Sequence, residues 1–125
     1  MDRSQKGTEI RKELFGAAPG AASPLTEDIM QLTNDYLFGE IWSRPGLTLR
    51  ERSLITVSIL TAFGKERQLA VHLKGALNLG YTPEALKEVM IHVTHYAGWP
   101  TGINGLKILG EVLEEKGIEY PDKDG

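Results

Sequence analysis

Cysteine is absent from this chain of 125 residues, which excludes disulfides, thiolate nucleophiles and thiolate metal sites. A long apolar run is also absent. The strongest one, Leu54 to Phe63, is about half the length of a membrane span and is interrupted by three hydroxyl side chains. The first residues, MDRSQKG, lack the apolar core of a secretory signal. We therefore expect a cytoplasmic location and no membrane partner.

A strong charge of either sign is missing as well. The chain has 14 Lys and Arg against 17 Asp and Glu, a formal net charge of -3, and no dense basic run, which argues against a nucleic-acid partner. Hydrophobic residues make up 41% and charged residues 25%, as in an ordinary globular protein. A chain of this length is typical of one domain. We expect a single domain over residues 1–125, with residues 1–7 and 119–125 frayed.

The pattern of apolar residues is helical throughout, and no segment alternates convincingly with a period of two. Ser23-Pro24 and Thr48-Leu-Arg-Glu51 are typical helix starts, and Gly80 is a typical helix stop. Residues 17–22 read as a loop. Gly98, Gly102 and Gly105 follow no strand, which argues against a nucleotide loop. The prediction is an all-α fold of about six helices, near residues 8–15, 24–38, 48–63 (apolar on most sides, so central and buried), 66–79, 83–97 and 100–116.

The three histidines of the chain lie within residues 72–95. Such clustering suggests proton transfer or metal binding. Helical periodicity puts His72 on the inward side of its helix, as a catalytic group or as a core histidine bonded to a neighbour. His92 and His95 are three residues apart and therefore share a face. The metal interpretation is the weaker one, because no His-x-x-x-His pattern is present. His95, beside Tyr96, is a candidate pocket residue, whereas His92 is interpreted as half-buried packing.

Charged side chains at two helix starts are further candidates. Arg50 and Arg52 lie at the helix end that disfavours cations, so either a salt bridge or a carboxylate-bearing ligand is expected to hold them. Glu66 either stabilises the start of its own helix or orients a histidine. Trp99 follows the Gly98 break, where it packs or forms a pocket wall.

These residues resemble those of the carboxymuconolactone decarboxylase family, which includes the AhpD-type alkylhydroperoxidases. The resemblance covers about Asp28 to Val112. Its most specific parts are Arg50-Glu-Arg-Ser-Leu-Ile55, His72 with Gly75-Ala76-Leu77-Asn78-x-Gly80, Glu84-x-x-x-Glu88 and Tyr96-Ala-Gly-Trp-Pro100.

The peroxidase branch of that family has a Cys-x-x-Cys pair followed by a histidine, and a glutamate before the pair. Counted back from His72, the two cysteine positions are Lys65 and Gln68, and the glutamate position is Ser53. The resemblance therefore excludes a thiol peroxidase and indicates the decarboxylase branch.

For the fold, the resemblance implies an all-helical protein that forms homotrimers or homohexamers. The implied reaction is the decarboxylation of 4-carboxymuconolactone in the β-ketoadipate pathway. In that substrate the lactone accepts the electrons, so neither a metal nor an organic cofactor is required. The implied roles are Arg50 or Arg52 for the retained carboxylate, His72 or Tyr96 for the oxyanion, and His72 or His95 as the acid. Glu66 would set the His72 tautomer, and Trp99 would be the apolar wall.

Two other hypotheses remain open at this point. One is a lyase or isomerase that acts on another small lactone or enol acid. The other is a non-catalytic oligomeric binding protein that kept the fold after losing the thiols.

Overall fold

The computed structural model describes residues 1–17 and 20–120, and every regular element in these ranges is helical. A π-helical segment, Thr33–Ile41, continues the second helix without a break. None of the described helices is both long and apolar enough to cross a membrane. The all-α prediction is confirmed, with six α-helices: α1 (Arg3–Phe15), α2 (Glu27–Leu32), α3 (Leu49–Ala62), α4 (Glu66–Asn78), α5 (Pro83–Ala97) and α6 (Trp99–Glu115).

The chain divides into two compact units, residues 1–52 and residues 53–125, and the boundary lies inside α3. In the first unit α1 packs on the π-helical segment. Gly7 lies so close to the backbone of Asn34 that a Cβ would overlap its carbonyl oxygen. The Asn34 amide also donates to the Ser4 carbonyl at 3.0 Å. The buried apolar side chains of this unit are Ile10, Leu14, Phe38 and Trp42.

In the second unit α4 and α5 both pack against α6. Their buried residues recur every three or four positions, as expected for a helix with one inward face. Each such apolar side chain contributes roughly 1.5–3 kcal/mol when fully buried. The core consists of Val57, Leu69, Leu73, Ala76, Leu86, Met90, Ile108, Leu109, Val112 and Leu113.

The first helix begins at Arg3, whereas the sequence predicted a start near residue 8. Asp2 and Gln5 form a capping box: the Gln5 amide donates to the Asp2 carboxylate at 2.9 Å, and the Asp2 amide donates to the Gln5 side chain at 3.2 Å. The expectation of a frayed stretch over residues 1–7 is therefore wrong for residues 3–7, because this local cap stabilises the first turn.

The second helix also differs from its prediction. It begins at Glu27 rather than at residue 24, because residues 24–26 form a turn, and its N-cap Thr26 makes no side-chain cap. The predicted loop of residues 17–22 includes residues 18 and 19, which lie outside the described ranges.

The capping box at the start of α3 is confirmed. The Thr48 amide donates to the Glu51 carboxylate at 2.8 Å, and the Glu51 amide donates to the Thr48 hydroxyl at 3.1 Å. The expectation of a central buried helix is wrong. Ile55, Ile59 and Phe63 are 46%, 48% and 73% exposed, so α3 buries one narrow stripe and exposes apolar side chains elsewhere.

The second helical stretch, predicted to end at residue 38, continues as the π-helical segment to Ile41, whereas the other ends of α3 to α6 lie within one residue of their predictions. The Thr82 hydroxyl caps α5 by accepting from the Ala85 amide at 3.1 Å. Gly80 and Gly98, which separate the last three helices, have φ angles of +96° and +108°. Positive φ angles favour glycine.

Residues 121–125 of the predicted frayed tail lie outside the described ranges. The Tyr120 hydroxyl before them donates to the Glu84 carboxylate.

Candidate active site

An open groove of about 660 Å³ lies between α3 and α5 in the second unit. Most of its lining is aliphatic. The Ser58 hydroxyl on its α3 wall donates to the Leu54 carbonyl at 2.8 Å, so it is already used within its own helix. The groove is lined by Leu54, Ser58, Ile59, Ala62, Ala85, Glu88, Val89, His92, Val93, Tyr96 and Ala97.

The larger polar side chains of the groove all come from α5. Glu88, His92 and Tyr96 are exposed and follow one another at intervals of four residues, which places them on one face of the helix. The His92 and Tyr96 rings lie 5.1 Å apart, with 33° between their planes. This face therefore presents a carboxylate, an imidazole and a phenol in a row along an apolar groove.

The structure corrects the sequence interpretation of His92 as half-buried packing. Its side chain is exposed and lines the groove. Sequence reasoning paired His92 with His95 at a spacing of three and did not use the spacing of four that joins it to Glu88 and Tyr96. That spacing was the available signal.

His72 lies in the middle of α4 and is half-buried. Burial lowers its pKa from 6.5 to about 4, because removal from water disfavours the charged imidazolium. His72 is therefore neutral at pH 7. It is not among the residues that line the groove. Glu66, its predicted orienting partner, is exposed in the first turn of α4, about 9 Å from His72 along the helix axis at 1.5 Å per residue.

His95 and Trp99 form a separate pair, and neither lines the groove. Both side chains are exposed, and their rings meet edge to face at 5.5 Å. Nδ1 of His95 lies 2.8 Å from the Ile91 carbonyl oxygen. With a proton on Nδ1 this is a hydrogen bond within the helix, and Nε2 is then an acceptor.

Arg50 and Arg52 belong to the first unit, at the start of α3. Arg50 is exposed. Nη2 of Arg52 donates to the Arg44 carbonyl at 3.1 Å, which ties the connection before α3 to its first turn. The Thr48 capping bonds lower the pKa of Glu51, and the Arg52 charge adds to that effect. Arg52 therefore helps to hold the start of α3.

Among the described residues, no group of three or more His, Asp or Glu side chains is arranged to hold a metal ion. The chemistry that the groove can supply is proton transfer and hydrogen bonding. Of the seven site residues that the sequence proposed, Tyr96 lines the groove. Glu88 and His92 line it too, and they were missed as site residues.

The sequence model of the carboxymuconolactone decarboxylase family matches residues 27–111. The chain belongs to this family. The match covers most of the described helices, including α3 and α5, which line the groove.

Two relatives in this family are named decarboxylases. The 4-carboxymuconolactone decarboxylase of Acinetobacter baylyi is 35% identical over 126 aligned residues, covering 97% of this chain and 93% of that protein. The nitrosuccinic acid decarboxylase npaB of Metarhizium robertsii is 28% identical over 115 residues, covering 88% and 80% of the two chains. An uncharacterized 15.0 kDa protein of Paracoccus denitrificans is 30% identical over 84 residues, covering 66% and 63%. Similarity to two decarboxylases supports a carboxy-lyase.

Proposed function

We propose that this protein is a cofactor-free carboxy-lyase that converts 4-carboxymuconolactone to 3-oxoadipate enol-lactone and CO₂ in β-ketoadipate catabolism. The observation that carries the proposal is the similarity, over nearly the full length of both chains, to a relative named 4-carboxymuconolactone decarboxylase. The family match extends across both units, which supports treating residues 1–125 as one domain.

The chemistry of this substrate explains why no cofactor is needed. The carboxylate that leaves is attached to the ring carbon that is vinylogous to the lactone carbonyl. When that carbon–carbon bond breaks, its electron pair moves through the ring double bond onto the lactone oxygen, and CO₂ departs. The resulting dienolate then takes one proton at the carbon next to the carbonyl. The protein must bind the retained carboxylate, stabilise the oxyanion and supply the proton.

The proposed residue roles follow from charge and burial. Arg50, an exposed guanidinium, holds the retained carboxylate, a ligand that suits its fork of donors. Tyr96 lines the groove and donates its hydroxyl to the oxyanion. His72 is neutral at pH 7 because burial lowers its pKa to about 4, so its ring N–H suits an oxyanion donor better than an acid. His95, which the sequence offered as the other candidate acid, does not line the groove.

Assembly as a homotrimer or homohexamer and a cytoplasmic location belong to the same proposal. The apolar side chains Ile55 and Phe63 on α3 are exposed and do not line the groove, which supports an assembly, because exposed apolar surface is a common mark of an interface.

The test is turnover of 4-carboxymuconolactone by the purified protein, followed by ultraviolet loss of the conjugated lactone together with CO₂ release. We expect both signals at equal rates. Nitrosuccinate is the second substrate, because a relative is named for its decarboxylation. Failure of the folded protein to decarboxylate either compound would leave the family assignment intact and favour another lactone or a binding role.

Arg50→Gln tests the carboxylate site, with Arg44→Gln as the matched control. Both side chains are exposed arginines of the first unit, so each variant removes the same charge. We expect Arg50→Gln to raise KM roughly 10- to 100-fold, the effect of losing hydrogen bonds to a charged group. Equal KM values for the two variants would reject Arg50 as the carboxylate ligand.

A further inference from the structure

The groove between α3 and α5 contains one imidazole among its described lining residues, that of His92. The side chain is exposed, so a small molecule in the groove can reach it. The Tyr96 ring lies 5.1 Å away at 33°, so the imidazole and the phenol are neighbours in the groove. The aliphatic wall of α3 and the aliphatic residues of α5 surround this polar row. A group in such a place is within reach of a ligand in the groove and can transfer a proton to it.

The other two histidines are less suited to that role. His72 does not line the groove, and burial keeps it neutral at pH 7. His95 does not line the groove either. One of its ring nitrogens faces the Ile91 carbonyl of its own helix at 2.8 Å, and its ring packs on Trp99. The position of each ring, rather than its residue type, separates His92 from the other two.

We propose that His92 is a catalytic residue of the decarboxylation, the acid that delivers the proton to the dienolate carbon. This inference rests on the proposed function. After the carbon–carbon bond has broken and CO₂ has left, the protonated His92 ring gives its proton to the carbon next to the lactone carbonyl. The electron pair returns from the oxygen to restore the carbonyl, and the neutral ring regains a proton from water. Glu88, one turn earlier on the same face, lines the same groove.

The experiment compares His92→Gln and His95→Gln with the wild-type protein on 4-carboxymuconolactone. Glutamine keeps a hydrogen-bonding side chain but cannot carry the proton. We expect kcat of His92→Gln to fall roughly 10²- to 10⁴-fold, the usual contribution of a general acid, and the loss in His95→Gln to be much smaller. Circular dichroism and the sedimentation profile check that the variants keep the fold and assembly.

Chemical rescue separates a proton-transfer role from a structural one. His92→Ala opens a space at the exposed edge of the groove, and added imidazole is expected to restore part of the lost turnover. Pyrazole, which has the same shape but is a far weaker base, is expected to restore none. Rescue of the His72→Ala or His95→Ala variant in place of His92→Ala would overturn the assignment.

The outcomes distinguish this inference from the function on which it rests. Wild-type turnover with unchanged kcat in His92→Gln would overturn the role of His92 and leave the decarboxylase proposal standing. Absence of wild-type turnover would reject the substrate, and the proposed proton transfer with it. Wild-type turnover, loss in His92→Gln and rescue by imidazole alone would support both.

Discussion

Helices α4 and α5 pack against the same helix α6, yet His72 on α4 and His92 on α5 have opposite surroundings. In α4, His72 lies on the turn between Leu69 and Ala76, both buried, and its pKa falls to about 4. In α5, the core is formed by Leu86, Met90 and Val93, and His92 lies beside this stripe, exposed in the groove. The position of a histidine relative to the buried stripe of its helix therefore decides whether its ring is half-buried or exposed to a ligand in the groove.

Tyr96→Phe tests, beside His92→Gln, whether the exposed face of α5 performs the chemistry. Loss of one oxyanion donor is expected to lower kcat roughly 10²- to 10³-fold, with little change in KM, because the bond forms only as the oxyanion develops. Steady-state kinetics on 4-carboxymuconolactone measure both constants.

Tyr36→Phe is the matched control for that prediction. Tyr36 is an exposed tyrosine of the first unit, and this substitution also removes only a hydroxyl group. Equal kcat values for the two variants would mean that the phenol of Tyr96 takes no part in the reaction.

Gly102→Ala tests the opposite side of α5, where that helix packs on α6. A Cβ at Gly102 would overlap the Thr94 hydroxyl and come within 2.8 Å of Thr94 Cβ. The hydroxyl is held in place by its bond to the Met90 carbonyl at 2.8 Å. Overpacking of this kind is expected to lower the free energy of unfolding by about 1–3 kcal/mol, measured by urea titration.

Gly110→Ala is the control on the same helix, because nothing lies within 4 Å of a Cβ built there. Here the higher helix propensity of alanine is expected to raise the free energy of unfolding by up to about 1 kcal/mol. A stable Gly102→Ala variant would mean that α5 and α6 can separate without cost.

At His72 the expected effect is a change in how the free energy of unfolding depends on pH. Because the folded pKa of about 4 lies below the ordinary value of 6.5, the unfolded chain binds more protons between these two pH values. Stability is therefore expected to fall as the pH is lowered from 6.5 towards 4, and this part of the loss should be absent in His72→Gln. Urea midpoints measured across that range give the slope.

Val71→Ala is the control for this slope, since Val71 is a neighbour on α4 that does not titrate and is 48% exposed. It is expected to keep the wild-type dependence on pH. If His72→Gln kept that dependence as well, the imidazole of His72 would not be the buried neutral group described above.

Helix positions followed closely from local signals. The Thr48–Glu51 box, the helix stop at Gly80 and the helix break at Gly98 depend on residues close together in the chain, so the sequence was sufficient to predict them. The start of α1 was missed although it has the same kind of signal, the Asp2–Gln5 box. The exposure of Ile55 and Ile59 on α3 was not predictable from their apolar character, because burial depends on what packs against the helix.

The active-site prediction was less complete for the same reason. Periodicity placed His72 on the inward side of its helix, but it could not show that the groove would lie between α3 and α5. Tyr96 was proposed from its position beside a helix end, whereas His92 and Glu88 line the same groove. From the sequence, Gly102 and Gly105 served only to argue against a nucleotide loop. Their close packing against Thr94 and Met90 could not be predicted, because it depends on where α5 lies.

The sequence by itself determined the helical class, the exclusion of thiol chemistry and most of the helix boundaries. These depend on composition and on contacts between near neighbours in the chain, which are present before any helices pack. Only the tertiary structure decided which imidazole is buried, which faces the groove, and which glycines allow two helices to approach closely. Each of those properties depends on the distance between side chains far apart in sequence, and packing alone sets that distance.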